Sequence, residues 1–155
     1  MNGGGYTPRA LEESVRPRRL GGTSGRPLNF TVRRLIVTAD ANRPLTPPER
    51  RLAQWMLEHG SPEAATFLSQ LADAEVTPYR CPCGCASFNF QVRGMAEAPP
   101  GVHVLGEFLF GGDDDLAGIF IFSSAGILSG VEVYGLGGEN PRQLPTPEDL
   151  RPVEK

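Results

Sequence analysis

The spacing of apolar residues changes from a period of about 3.6 to a period of 2 roughly halfway along this chain, which predicts a helical part followed by a sheet. Thr46-Pro47-Pro48-Glu49 has the form of a capping box. The Thr hydroxyl takes the amide of the third helical residue, Glu49 reaches back, and proline at the first helical position gives up no bond. A helix is therefore predicted from Pro47, with Leu52, Trp55, Met56 and His59 at i, i+3, i+4 and i+7 on one apolar stripe. Gly60 is expected to supply a left-handed stop. Ser61-Pro62-Glu63 then starts a second helix, with Ala64, Phe67, Leu68 and Leu71 along its stripe, which must end before Thr77-Pro78. With only Gly60 and Ser61 between them, the two helices form an antiparallel or angled pair.

From Tyr79 onward the residues alternate. Phe88, Phe90 and Val92 set against Ser87, Asn89, Gln91 and Arg93 predict a half-buried strand, closed by the loop Ala96 to Gly101. A second strand puts Val102, Val104, Phe108 and Phe110 on one face and His103, Leu105, Glu107 and Leu109 on the other. Leu116 to Phe122 is apolar almost throughout, which predicts a central strand covered on both faces. Ile127 to Tyr134 makes a fourth strand. Short connections favour an antiparallel meander with the helix pair on one face, a two-layer α+β domain of about four strands over 44–138. The proline-bearing segment 139–155 should run extended over the surface.

Glycine and proline supply 19 and 15 of the 155 residues, well above ordinary usage, so long helices are excluded. Net charge is only −3, yet it is unevenly spread: residues 1–43 hold eight Arg against three acidic side chains, while the remainder sets seven basic against fifteen acidic residues, a net −8. The first 43 residues are too poor in large apolar side chains to offset the entropy of ordering, and a largely disordered tail is expected there, with one β-branched run, 30–39, that reads as a strand. No aromatic residue is interleaved with the arginines of Val15 to Arg19, so nucleic acid is not the expected partner. The longest uninterrupted apolar run is Ile119 to Phe122 and the N-terminus has no apolar signal core, so a cytoplasmic protein with no membrane partner is expected.

The chemistry concentrates in Cys81-Pro82-Cys83-Gly84-Cys85, which holds all three cysteines of the chain. Three readings stand. Thiolates bind Zn²⁺, but a structural site needs four ligands, so His59 or His103 would have to complete it. In an extended chain alternate sulfurs lie about 7 Å apart, so a turn at Pro82 or Gly84 would have to fold them together. A thiol-redox pair is the second reading, with Arg80 the one adjacent cation. In the third, the cysteines are small, fairly apolar residues at the entry of the first sheet strand, facing the same way as Ser87, Asn89 and Gln91. An odd count speaks against a structural disulfide framework.

Other motifs carry less. Gly111-Gly112-Asp113-Asp114-Asp115 is similar over five residues to the GGDEF signature of diguanylate cyclases, but Asp114-Asp115 replace its Glu-Phe and no nucleotide-binding framework surrounds it. A hairpin tip explains it, since such tips collect Gly and Asp. Gly135-Leu136-Gly137-Gly138 precedes Glu139-Asn140-Pro141 and no helix, which removes a phosphate site. His59 is expected to interact with the C-terminal end of its helix. His103, Glu107 and one cysteine are the residues from which an acid-base or nucleophilic centre would have to be assembled. No catalytic motif is present, and an enzyme is the least favoured expectation.

From about Leu45 to Pro152 the chain resembles a group of small uncharacterised bacterial proteins. In these an L-T-x-x-E start opens a helix pair, a CxCGCxS segment follows, and a short β meander ends in V-E-V-Y or L-E-V-Y. The matching residues are Leu45, Thr46, Glu49, Cys81, Cys83, Gly84, Cys85, Ser87, Val131, Glu132, Val133 and Tyr134. The resemblance implies a shared fold and assigns no activity. The layout, a small acidic α+β protein without a catalytic motif, is also similar to that of immunity proteins that neutralise bacterial toxins. The leading expectation is thus a non-enzymatic module, of immunity or regulatory type, that binds another protein and needs no cofactor, through Asn89, Gln91, His103, Glu132 and Tyr134. The alternative is a zinc-binding or thiol-redox protein using Cys81, Cys83 and Cys85.

Overall fold

A computed structural model of the chain describes residues 41–153. The strand read at 30–39, and all of the expected tail before Ala41, lie outside the described residues.

The capping box forms as its sequence predicts and starts α1, Pro47–Glu58: Thr46 N donates to Glu49 Oε2 at 2.8 Å and Glu49 N to Thr46 Oγ1 at 3.4 Å. Arg43 adds a second grip on the same carboxylate, with Nη2 2.7 Å from Oε1 and Nη1 2.8 Å from Oε2. That paired hydrogen bond, more than the cap itself, holds the Glu49 carboxyl below the usual carboxylate range. Arg43 belongs to a two-residue edge strand, β1 (Arg43–Pro44), so the chain just before the capping box is docked on the sheet and Leu45 is buried.

The buried face of α1 is Leu52, Ala53, Met56 and Leu57, turned by part of a step from the predicted stripe: Trp55 is half-buried and His59 exposed. His59 ends the helix. Its Nδ1 lies 2.8 Å from the Trp55 carbonyl oxygen, and its ring stacks on the Trp55 indole with centroids 4.1 Å apart. Gly60 does not take the left-handed conformation expected of it. It is needed for contact: Ser61 N donates to the Leu105 carbonyl at 2.6 Å, and a Cβ at Gly60 would collide with that same oxygen. Gly106 answers from the strand side, where a Cβ would sit 3.0 Å from the Gly60 Cα. Two missing side chains let the helix end touch the sheet backbone.

The second helix is shorter and tighter than predicted, a 3₁₀ turn at Ala64–Phe67 followed by α2, Leu68–Ala72. Thr66 Oγ1 donates back to the Glu63 carbonyl at 2.6 Å within the tight turn. The predicted stripe does face inward, with Ala64 and Leu71 buried and Phe67 and Leu68 packed against the core. Gln70 fastens α2 to the sheet by donating to the Gly126 carbonyl at 2.9 Å and accepting from Leu128 N at 2.8 Å.

The four predicted strands are present as β3 (Phe88–Val92), β4 (His103–Phe110), β5 (Ala117–Ser124) and β6 (Ile127–Gly135). Three short ones join them: β1, β2 (Ala74–Val76) and β7 (Arg151–Pro152). All pairings are antiparallel and the order is β1-β2-β3-β6-β5-β4-β7. The expected simple meander therefore holds only for β4-β5-β6. β3 lies beside β6, as in a Greek key. The connection 93–102, stiffened by Pro99-Pro100, is too long for a tight hairpin, and Ser124 Oγ at the end of β5 donates to the Pro99 carbonyl at 2.6 Å.

Two further expectations are corrected. β4 does not keep one alternation, because a bulge between Val104 and Gly106 resets it: Val104 is exposed, Leu105 is fully buried and Phe108 points into the core. β5 is interior to the sheet but covered on one face only. Ile119 and Ile121 are buried with the helices, whereas Phe120 and Phe122 lie half-buried on the open face, where Phe120 packs near Tyr134 at 6.1 Å between centroids.

The doubly held Glu49 gives the fold a pH signature. Its folded pKa is depressed, so its contribution is present above the unfolded value near 4.3 and is lost as pH falls through the lower folded value. Glu49→Gln should cost about 1–2 kcal/mol at neutral pH and remove part of the acid-induced loss of stability. Urea unfolding at pH 7 and pH 3 checks this; equal effects at both would refute it.

Candidate metal centre

The three cysteines are brought together by a β-turn. Gly84 N donates to the Cys81 carbonyl at 2.9 Å, Pro82 takes the position whose φ suits its ring, and Gly84 lies at φ +75°, a conformation that L side chains rarely adopt. The chain thus doubles back where straight continuation would have spread the sulfurs. The Sγ atoms of Cys81, Cys83 and Cys85 all lie within 4.8 Å of one another, and those of Cys81 and Cys83 are 2.9 Å apart. All three are free thiols; Cys83 is exposed and the other two are partly covered.

The turn is anchored on both sides. After it, Cys85 Sγ donates to Ser87 Oγ at 3.1 Å, and the same hydroxyl oxygen accepts from Val133 N of β6 at 2.9 Å. Ala86 N donates to the Pro141 carbonyl at 2.9 Å, which fixes the segment after β6 against the loop. Asn140 in that segment accepts from Gly135 N at 2.9 Å. Ser87, Tyr79 and Asn140 are the surroundings that sequence reasoning did not assign to the site. Only Ser87 carried a local signal, its place in CxCGCxS.

Hydrogen bonding separates the thiols electrostatically. The close sulfur contact with Cys81 lowers the Cys83 thiol to about 7, with help from Cys85 and a smaller contribution from the Asn140 side chain. The same contact works the other way on Cys81, raised to about 11. The Tyr79 phenol is raised by partial desolvation first and then by the nearby Cys81 and Glu132.

Neither histidine offered for completing a zinc site reaches the cluster. His103 Nε2 is 2.7 Å from Glu63 Oε1, and His59 is held on the Trp55 carbonyl. Among the described residues, no other set of His, Cys, Asp or Glu side chains gathers closely enough to hold an ion. The Gly-Gly-Asp tip is closed on itself, with Gly112 N donating to Asp115 Oδ1 at 2.6 Å. The residues named for an acid-base centre are also apart: Glu107 accepts from the Tyr134 hydroxyl at 2.7 Å, on the face away from His103.

Of the residues expected to bind a partner, Asn89, Gln91, Glu132 and Tyr134 share the open face of the sheet, as the registers Asn89↔Gly130 and Phe120↔Glu132 require. His103 does not join them, being turned to the helix layer by its bond to Glu63. Burial and a hydrogen bond to Glu107 push the Tyr134 phenol up to about 12.

No family model, curated protein or solved structure matches this chain. The centre must therefore be read from its own geometry. One consequence is a graded reactivity. Alkylation by iodoacetamide should be fastest at Cys83, with a midpoint near pH 7. Cys81→Ala, which removes that contact, should move that midpoint toward the value near 8.5 of an ordinary thiol. Peptide mass mapping of labelled protein across pH reads this. Equal rates at the three cysteines would refute it.

Proposed function

We propose that this protein binds one soft, thiophilic metal ion per chain through the Sγ atoms of Cys81, Cys83 and Cys85. One observation carries the reading: a five-residue segment folds back so that three sulfurs lie within 4.8 Å of one another. Thiolates favour soft and borderline cations such as Zn²⁺ and Cu⁺ over hard ones. A backbone turn that gathers them lowers the ordering cost that binding would otherwise bear. The cluster lies at the surface, so an ion has a direct path in, and binding releases the protons of the coordinating thiols.

A protein-docking role draws weaker support. Four of its five residues share an open face, yet nothing marks what would cover that face. No helix among the described residues is long and apolar enough to cross a membrane.

Elemental analysis of protein purified without chelators, followed by metal titration with thiol counting, tests the proposal. About one equivalent of a thiophilic metal, lost in each of Cys81→Ser, Cys83→Ser and Cys85→Ser, is the expected result. Less than about a tenth of an equivalent, with three thiols free to react at every metal concentration, would overturn it.

A further inference from the structure

Resting on that metal-binding reading, we infer that the ion is a three-coordinate one, held by three sulfurs and by no fourth side chain among the described residues: a cuprous or arsenious ion in place of tetrahedral zinc. The chain has three cysteines, all in the cluster, and two histidines, neither of them in it. No carboxylate of the described residues belongs to the set of gathered ligand atoms. A soft ion therefore meets three thiolates and no imidazole or carboxylate of the described residues, whereas structural zinc sites close with four protein ligands.

The surroundings point the same way. Cys85 N donates to Cys83 Sγ at 3.4 Å, so the chain supports sulfur with hydrogen bonds, and no carboxylate of the described residues joins the set. Thiolate donors select Cu⁺ strongly, and an ion satisfied by three of them gains nothing from a fourth. The chemistry balances without any oxidant. Cuprous ion replaces three thiol protons and leaves a trithiolate of net charge −2. Arsenious acid condenses with three thiols, so that three As–O and three S–H bonds break, three As–S bonds form and three waters leave.

The test uses the reduced full chain under argon. It is loaded separately with Cu⁺, arsenite and Zn²⁺, and each product is examined by X-ray absorption. The expected result is one Cu⁺ or one As(III) per chain with three sulfur neighbours and no oxygen or nitrogen neighbour. One equivalent of the preferred ion should displace about nine-tenths of any bound zinc. Each single Cys→Ser variant, with its circular dichroism unchanged, should drop the sulfur count to two. Tight binding of Cu⁺ alone supports the cuprous form, of arsenite alone the arsenious form, and of both a general trithiolate site. Zinc bound by three sulfurs plus an oxygen or nitrogen donor and resisting displacement would overturn this inference and leave the metal-binding reading intact. So would Cu⁺ held by two sulfurs. Failure of all three ions to bind would overturn both.

Discussion

The chemistry of this molecule depends on one turn. Cys81 to Gly84 closes with a single backbone hydrogen bond, and by reversing the chain it converts a spacing of about 7 Å between alternate sulfurs into a cluster within 4.8 Å. Pro82 presets one backbone angle and Gly84 supplies a positive φ, so the reversal is favoured locally before the sheet forms. Left to itself a short loop of this kind would sample other shapes. Here it is tied to β6 through Ser87 and to the following segment through Pro141.

Those ties follow from the sheet topology. β3 pairs with β6, so the residues just before β3 meet Val133 and the chain beyond Gly135. In a plain meander β3 would have paired with β4, and the cysteine loop would have had neither neighbour. The helix layer shapes this outcome from the other face. α1 presses its C-terminal end onto β4 through the Gly60 and Gly106 contact, and Gln70 holds the β5-β6 turn. The open face is left with Phe120, Phe122 and Tyr134 packing mainly on one another, while the helices seal Ile119, Ile121, Leu105 and Val133.

Much of this fold is legible in the residues. The capping box at Thr46 and the alternation of β3 are local, period-bound signals, and both are realised. So is the alternation of outward Glu132 and Tyr134 with buried Val131 and Val133. What escaped is long-range or one residue deep. The bulge in β4 flips the faces of half a strand, and alternation alone cannot reveal a single inserted residue. The partner of β3 is chosen by a connection whose path depends on contacts with Ser124. Gly60 reads as a helix stop, but its reason is a strand nearly fifty positions away. In the site itself the cysteines are plain in the sequence and their need for a turn is plain too. Whether the turn forms depends on Ser87 and Pro141 meeting it in space, and Asn140 joins through the same route.

The direct test of this account is the effect of Gly84→Ala on the affinity of the full chain for Cu⁺ or Zn²⁺, with thermal stability measured alongside. No atom lies within 4 Å of the position a Cβ would take, so the substitution acts on the backbone angle and creates no clash. The left-handed conformation costs an L-residue about 1–2 kcal/mol, so affinity should fall roughly five- to thirtyfold while the melting temperature stays within a few degrees. Unchanged affinity would show that the thiols come together without the turn, and the account would be wrong.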